Sequence, residues 1–247
     1  MLDRVCASGH LVETLMNLII MPVVAGLSMT RDCVKSLLAQ DIGEVRVLAI
    51  DNGSQDGVGS YLRTLPSRQV TLLTKHHRVG LNALWNECLT MAFDSLKLDE
   101  ALVVNNDTVL HPCTFRLLRD DGGLFVTAVG QAPGRELEIG DLTKRRPHPD
   151  FSCFLITREC WEGVGPFDER IHAFFGDNDY HIRMHRAGIE AYSLPIPFTH
   201  IASGTMKLAS NELRDAIQRE ADEDREMFRR KYGFLPATPE YSEEFMR

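Results

Sequence analysis

Hydrophobic runs alternate with amphipathic stretches along the first part of the chain. Residues 30–40 and 80–93 place apolar side chains at helical spacing, and Thr30 is predicted to cap the first of these helices. Strand and helix in alternation predict a parallel sheet with helices on both faces. Four runs have the length and composition of buried strands: NLIIMPVV (17–24), VRVLAI (45–50), VTLLT (70–74) and ALVVN (101–105).

The pattern is less regular in the second half. Residues 119–150 are rich in glycine and proline and include the basic run KRRP (144–147), which predicts loops and short strands. Residues 150–161 fit a strand followed by the start of a helix, and residues 165–188 fit a loop entering a helix that ends near Gly188. The charged stretch 211–230 predicts a solvated amphipathic helix.

Composition narrows the class of protein. A chain of 247 residues suits one domain, and its net charge of −8 argues against a broad nucleic-acid-binding surface, although a local basic groove stays compatible. The six cysteines form no C-x-x-C pair, so we expect free thiols and a cytoplasmic protein. The apolar stretch 15–27 is too short to span a bilayer, and no basic leader precedes it, so neither a transmembrane segment nor a signal peptide is expected.

Polar side chains follow two of the predicted strands. DNGSQDG (51–57) and NND (105–107) each begin where a strand ends, and ligands of open parallel sheets bind beyond the carboxyl ends of the strands. We therefore expect both loops to converge on one crevice. A carboxylate such as Asp51 can accept hydrogen bonds from a base or a ribose, and Asp107 offers the oxygen ligand that Mg²⁺ or Mn²⁺ prefers. A plain turn is the alternative for each loop taken alone.

A third polar cluster lies at the start of a predicted helix. Asp177 and Asp179 fit the positive end of the helix dipole, and a carboxylate there can also act as a base if its pKa is raised. His181 and His185 have the i, i+4 spacing of a metal chelate, but the H-E-x-x-H pattern is missing and an exposed helix face is the favoured interpretation. His200 gains interest only beside the other clusters.

The order and spacing of these segments resemble the family 2 glycosyltransferases, which have the GT-A fold. LAIDNGSQDG resembles the D-[DN]-x-S-x-D-G loop of the family, and VVNNDTVL resembles its D-x-D metal motif. The segment from His76 to Ala92 resembles the glycine- and asparagine-containing helix of the family, with Gly80 and Asn86 in place. Residues 165–188, THIASGT (199–205) and FRRKYGFLP (228–236) are similar to the remaining motifs.

This resemblance implies the fold and the organisation of the chain. It implies an α/β protein of GT-A type, with one Rossmann-like, mostly parallel sheet flanked by helices, an irregular acceptor-side second half and a C-terminal helix. Residues 1–247 would form a single domain. Within it, residues 17–110 would bind the nucleotide sugar, residues 111–205 would hold the acceptor and the catalytic groups, and residues 206–247 would form a helical tail.

The resemblance also implies a role for each matching residue. Asp177 would be the catalytic base, with Asp179 supporting it or positioning the acceptor. Asp107 and His200 would hold a Mn²⁺ or Mg²⁺ ion that bridges the two phosphates of the donor. Asp56 would shape the 51–57 loop. The residues predicted to bind the nucleotide sugar are Asp51, Asn52, Ser54, Asp56, Gly80, Asn86, Asn105, Asn106 and Arg183.

Three departures from the family pattern bear on the function. Asn105 replaces the first carboxylate of D-x-D, which leaves one carboxylate for the metal. Gly176 replaces the usual glutamate before Asp177, which removes a negative charge beside the base. The Q-x-x-R-W motif does not follow residues 177–179, which argues against a processive polysaccharide synthase.

The sequence therefore predicts an inverting, metal-dependent glycosyltransferase. Its donor would be a nucleotide-diphosphate sugar, with UDP favoured, and its acceptor a hydroxyl of a glycan, a glycolipid or a modified nucleobase in DNA. Two alternatives stay open. A nucleotidyltransferase on a related sheet would need a glycine-rich phosphate loop after the first strand, where this chain has PVVAGLSMTRD. A degenerate sugar-binding module would explain Asn105 and Gly176.

Overall fold

The computed structural model describes residues 16–201 and 210–246. One eight-stranded sheet runs through the molecule in the order β3-β2-β1-β4-β7-β6-β8-β5. The strands are β1 (Asn17–Val23), β2 (Val45–Asn52), β3 (Val70–Lys75), β4 (Glu100–Val104), β5 (Thr108–Leu110), β6 (Phe125–Gln131), β7 (Cys153–Thr157) and β8 (Ala191–His200).

Helices cover both faces of this sheet. A π-helical turn at Met91–Ser95 extends the third helix. The helices of the described residues are α1 (Leu27–Leu38), α2 (Val58–Arg63), α3 (Leu81–Thr90), α4 (Thr114–Asp121), α5 (Arg158–Val164), α6 (Gly176–Arg186), α7 (Asn211–Tyr232) and α8 (Pro239–Glu244).

The first half of the sheet is parallel, as the alternating pattern predicts. β1 pairs in parallel with β2 and with β4, and β2 pairs in parallel with β3. Side chains of β1 alternate between the faces: Ile19 and Met21 enter one hydrophobic core, while Leu18 and Ile20 enter the other. Because these strands are buried on both faces, they appear in the sequence as continuous apolar runs rather than alternating ones.

The second half of the sheet is mixed. β4 pairs antiparallel with β7, β7 with β6, and β5 with β8, while β6 and β8 are parallel. The α/β class is confirmed, and each antiparallel pair includes β7 or β8, from the half of the chain where the sequence pattern is less regular. They bring the end of β8, which carries His200, beside the start of β5 at Thr108. This pairing places His200 next to the NND loop.

The start of α1 corrects the prediction for Thr30. The helix begins at Leu27, after Gly26 with a φ of 99°, and the Thr30 hydroxyl donates back to the Gly26 carbonyl at 3.0 Å. The cap comes from the loop after β2, where a carboxylate oxygen of Asp56 accepts hydrogen bonds from the backbone N–H of Gly26 (2.6 Å) and Leu27 (3.0 Å). A capping group 30 residues away along the chain leaves no local signal.

The predicted C-terminal helix is confirmed and extends to Tyr232. One face of it is buried, since Ile217, Asp224 and Phe228 are inaccessible or nearly so. No helix within residues 16–201 and 210–246 is long and apolar enough to cross a membrane. The cysteines of the described part, from Cys33 to Cys160, are free thiols.

Candidate active site

The carboxyl ends of β2, β4 and β8 meet at one crevice. Asn52, Asn105, Asn106, Asp107 and His200 line a cavity of about 330 Å³ there. Arg78 and Val79 line it from the loop before α3, and Ile217 lines it from α7. Of residues 51–57 only Asn52 lines this cavity, so the predicted convergence of the two polar loops is met in part, through Asn52 and the NND corner.

Within the NND corner, each residue has a separate task. Asn106 is buried, and its amide donates to the Ala25 carbonyl and to the Thr30 hydroxyl, both at 2.9 Å, so it joins the loop after β1 to the loop after β4. The Asn105 backbone N–H donates to the Ser152 carbonyl at 2.9 Å. Asp107 is 8% exposed and lines the cavity. Asp107 is therefore the residue of this corner that offers a carboxylate to a ligand in the cavity.

Asp107 and His200 form a pair suited to a divalent cation. The His200 Nε2 lies 3.6 Å from an Asp107 carboxylate oxygen, and this carboxylate raises the pKa of the imidazole. A carboxylate and an imidazole are ligands that Mn²⁺ accepts, and such ions keep substrate phosphates as further ligands. The described residues contain no group of three or more metal-binding side chains. The pair fits an ion whose remaining ligands would come from the donor. Residues 202–205 of THIASGT lie outside the described residues.

The loop after β2 divides its polar residues between two cavities. Asp51 accepts a hydrogen bond from the Ser54 backbone N–H at 2.9 Å, and both residues line a neighbouring cavity of about 510 Å³. Asn52 lines the central cavity, and its amide exchanges hydrogen bonds with the backbone N–H (3.0 Å) and carbonyl (2.9 Å) of Val79. Asn52 therefore lies nearer than Asp51 to the NND corner.

Gly80 and Asn86 act through packing in this structure. A Cβ at Gly80 would lie 3.1 Å from the His172 backbone, so this glycine permits the close approach of α3 to the loop before α6. The Asn86 amide pairs with the backbone N–H (2.8 Å) and carbonyl (2.9 Å) of Phe167. Both residues therefore hold the 165–175 loop against α3, and their predicted contact with the nucleotide sugar stays a prediction.

Asp177 lies in a second cavity of about 370 Å³, at the first turn of α6. It accepts a hydrogen bond from the Asn178 backbone N–H at 2.8 Å. Asp177 is an exposed residue. The protein atoms packed around its carboxyl group nevertheless raise its pKa by desolvation, and the negative charge of Asp150 raises it slightly further. A carboxylate with a raised pKa is a stronger base.

Asp179 and Arg183 point away from the cavities. Asp179 is fully buried, where it accepts hydrogen bonds from Arg183 Nε (3.0 Å) and from the Tyr232 hydroxyl (2.8 Å), and Lys231 Nζ lies 2.5 Å away. Arg183 also donates to the Val164 carbonyl at 3.2 Å. This network ties α6 to α7, which favours support of the base over contact with the acceptor for Asp179.

The histidine pair on α6 packs against an aromatic ring. The centroids of His181 and His185 lie 4.3 and 5.2 Å from that of Phe245, and both residues are partly buried. Desolvation lowers the pKa of His181 to about 4. The expected exposed face is therefore covered by the C-terminal segment.

Three polar residues at the site have no counterpart in the sequence prediction. Asp150 lines the Asp177 cavity and accepts hydrogen bonds from the backbone N–H of Gly130 (3.0 Å) and Ser152 (2.9 Å). Asn82 is buried beside Gly176. Asp224 continues the buried stripe of α7 at helical spacing between Ile217 and Phe228, and a charged residue on such a stripe is a signal that the sequence does contain.

Comparison with known proteins shows which proteins this chain resembles. The glycosyl transferase family 2 model matches residues 18–117, while no curated protein sequence matches the chain. The mannosyltransferase PcManGT from Pyrobaculum calidifontis, solved with GDP-Man and Mn²⁺, superposes with a TM-score of 0.61 at 16% identity, covering 94% of this chain and 68% of that one.

Two further solved structures have the same fold. TarS residues 1–349 from S. aureus gives a TM-score of 0.57 at 13% identity, covering 94% of this chain and 78% of that one. GalNAc-T7, solved with UDP, GalNAc and Mn²⁺, gives 0.56 at 13% identity, covering 75% and 43%. At these identities the similarity establishes the fold and leaves the ligands of this chain to be argued separately.

The fold and the family match together define the class of protein. The chain is a glycosyltransferase with the GT-A fold, and its residues 18–117 match the glycosyl transferase family 2 model. The resemblance drawn from the motifs is confirmed, and so is the expectation of an enzyme of this class.

Gly176 leaves room for Asn82, and this contact can be tested. A Cβ at Gly176 would lie 2.5 Å from Asn82 Oδ1, while the Asn82 amide donates to the Asp168 carbonyl at 3.0 Å. We expect Gly176→Ala to lower the free energy of unfolding by about 1–3 kcal/mol, as overpacking does. Chemical denaturation of the single and double variants checks it: the cost of Gly176→Ala should shrink in an Asn82→Ala background. Equal costs in both backgrounds would contradict the contact.

Proposed function

We propose that the protein is an inverting, metal-dependent glycosyltransferase that uses a nucleotide-diphosphate sugar. The observation that carries this proposal is the arrangement of two adjoining cavities, one with Asp107 and His200 and the other with Asp177. The two cavities share four wall residues: Leu81, Asn105, Ala173 and Phe174. A donor in the first cavity would present its sugar towards an acceptor in the second.

The first cavity suits the nucleotide diphosphate. Asp107 and His200 would hold a Mn²⁺ or Mg²⁺ ion, and a bound ion would supply charge neutralisation for the departing diphosphate. Structures of the fold are solved with GDP-Man, UDP and UDP-GlcNAc, which supports a donor of this chemical class. We favour UDP, as the sequence resemblance implies. Asn52, held by Val79, and Arg78 are the polar groups beside the NND corner that would contact the donor.

The second cavity suits the activation of a hydroxyl. Asp177 would accept the proton of the acceptor hydroxyl as its oxygen attacks the anomeric carbon, while the bond from that carbon to the diphosphate breaks on the opposite face. A single displacement of this kind inverts the anomeric centre, as it does in inverting glycosidases with an opposite-face base. The raised pKa of Asp177 strengthens its carboxylate as a base.

The walls of the second cavity favour an uncharged acceptor. Asp150 and Asp177 supply its charge, and none of the described residues that line it is basic. Phe174 is 39% exposed and offers an apolar face to a sugar ring. Arg145 of the KRRP run lies elsewhere, paired with Asp121 at 3.1 Å and stacked over Tyr192. A glycan or glycolipid sugar therefore fits better than a nucleobase in DNA.

The alternatives fit the site less well. A degenerate sugar-binding module would not need Asp107, His200 and Asp177 to face adjoining cavities. A nucleotidyltransferase would need a phosphate-binding loop after β1, where Asn106 and Asp56 instead hold the backbone of residues 25–27. The cytoplasmic location stays a prediction, to which the free cysteines give support.

Nucleotide binding should depend on the metal and on Asp107. We expect one nucleoside diphosphate among UDP, GDP, dTDP, CDP and ADP, with UDP favoured, to raise the melting temperature in Mn²⁺ or Mg²⁺ but not in EDTA. Saturation at 100 times Kd adds about 2.7 kcal/mol to stability, which a thermal-shift assay resolves. Asp107→Ala should lose the shift, while Asp94→Ala, at an exposed carboxylate, should keep it. An equal shift in EDTA would contradict the metal site.

Transfer should require Asp177 in its ionised form. Because desolvation and Asp150 raise the pKa of Asp177, kcat/KM should rise with pH through a midpoint above the ordinary value of 3.8. Asp150→Asn should move this midpoint to lower pH, since it removes a negative charge. Asp177→Asn should lower kcat by about 10²–10⁴-fold with unchanged nucleotide binding. Wild-type turnover of Asp177→Asn would remove Asp177 as the base.

Acceptor charge should decide turnover. We expect an uncharged sugar acceptor to exceed its phosphorylated counterpart, or a DNA oligonucleotide with a hydroxymethylated base, by about tenfold or more in kcat/KM, because like charges placed together cost several kcal/mol. Asp150→Asn should narrow this gap, and Asp120→Asn, at an exposed carboxylate, should leave it unchanged. Preference for the phosphorylated acceptor would contradict the uncharged-acceptor assignment.

A further inference from the structure

A buried carboxylate on α7 holds the backbone beside the active site. Asp224 is inaccessible to solvent, and its two oxygens accept hydrogen bonds from three consecutive backbone N–H groups. The donors are His172 (2.7 Å), Ala173 (2.8 Å) and Phe174 (2.9 Å), and the His172 ring Nδ1 lies 3.2 Å away. Hydrogen bonds to an ionised acceptor are roughly twice as strong as neutral ones, so this carboxylate fixes residues 172–174 firmly.

Residues 172–174, which we term the hinge segment, lie between the two cavities. Ala173 and Phe174 line both of them. Phe175 follows with a φ of 63°, a backbone conformation that residues other than glycine rarely adopt. Helix α6 then begins at Gly176. Surrounding structure has to fix such a backbone. The direction of the hinge segment therefore sets where Asp177 is placed.

The opposite side of the hinge segment rests on α3. The His172 carbonyl accepts a hydrogen bond from the Leu81 backbone N–H at 2.5 Å, at the point where Gly80 allows the close approach. The segment is thus held between α3 and Asp224 on α7. Helix α3 borders the first cavity, which contains Asp107 and His200 and is the proposed donor cavity. Removal of either contact would leave the other as the main restraint.

Helix α7 is itself anchored to both parts of the site. Glu220 forms a two-pronged ion pair with Arg78, which lines the donor cavity. Tyr232 binds Asp179 of α6, and Phe228 packs against Phe175 with ring centroids 5.7 Å apart. Asp224 therefore projects from a helix that is held on either side of it, by Glu220 against the first cavity and by Tyr232 against α6.

We propose that Asp224 is a positioning residue for sugar transfer, which sets the place of Asp177 relative to the donor by fixing the hinge segment. This inference rests on the proposed function of Asp177 as base. Asp224 itself touches neither cavity, so it acts through the backbone. Its loss should impair the attack of an acceptor more than the binding of the donor.

The variant Asp224→Asn tests this role. The amide keeps one acceptor oxygen but turns an N–H group towards backbone donors, which should displace the hinge segment. A misplacement of about 1 Å costs about 10²-fold in rate. We therefore expect a fall in kcat of that order, unchanged nucleotide Kd with Mn²⁺, and a lower ratio of transfer to acceptor over hydrolysis of the donor by water. Asp222→Asn, at an exposed carboxylate on the same helix, should behave as wild type.

The ratio of transfer to hydrolysis separates positioning from a loss of folded protein. Partial unfolding would lower both rates in proportion and leave the ratio unchanged, and that result would overturn the proposal. If Asp224→Asn does not unfold cooperatively, Asp224→Glu is measured instead, because it keeps the charge and displaces it by one methylene. A wild-type ratio in the folded Glu variant would likewise overturn the proposal.

Asp177→Asn, measured in parallel, separates this inference from the proposed function. If Asp177→Asn keeps wild-type turnover, the assignment of the base is wrong and the positioning role falls with it. If Asp177→Asn loses turnover while Asp224→Asn keeps wild-type kcat and ratio, only the positioning role is wrong.

Discussion

The structure depends on how buried polar groups are satisfied where the parallel strands end. A buried amide or carboxylate without partners costs free energy, so each such group at this edge binds a neighbouring loop. Asp56 holds the start of α1, Asn106 holds Ala25 and Thr30, and Asn52 holds Val79. These contacts join the loops after three different strands into one floor, on which Asp107 faces the cavity beside His200.

A similar constraint organises the base side of the site. Asp179 and Asp224 are both fully buried, and a buried carboxylate without partners costs free energy, so Asp179 pairs with Arg183 and Lys231 while Asp224 accepts three backbone hydrogen bonds. Their partners come from α6, α7 and the hinge segment, so these elements form one unit. The unit carries Asp177 at its edge, where the proposed base is exposed to the second cavity although the backbone beside it is held on both sides.

The two cavities differ in charge in a way that fits sugar transfer. The donor side pairs Asp107 with His200 and brings Arg78 close, which suits an anionic diphosphate with a cation. The acceptor side has Asp150 and Asp177 among aromatic and apolar walls, which suits a neutral hydroxyl. The proposed donor and acceptor sides meet at the shared wall of Leu81, Asn105, Ala173 and Phe174.

The parallel half of the sheet and the polar loops at its edge can be predicted from the sequence, because strand and turn signals are local. The contacts between segments that are distant in the chain are visible only in the tertiary structure. In the structure Asp56, rather than the predicted Thr30, caps α1. Phe245 covers His181, and Asp224 is buried against the hinge segment. Each of these outcomes depends on a contact between residues far apart in the chain, and no local sequence pattern reports such a contact.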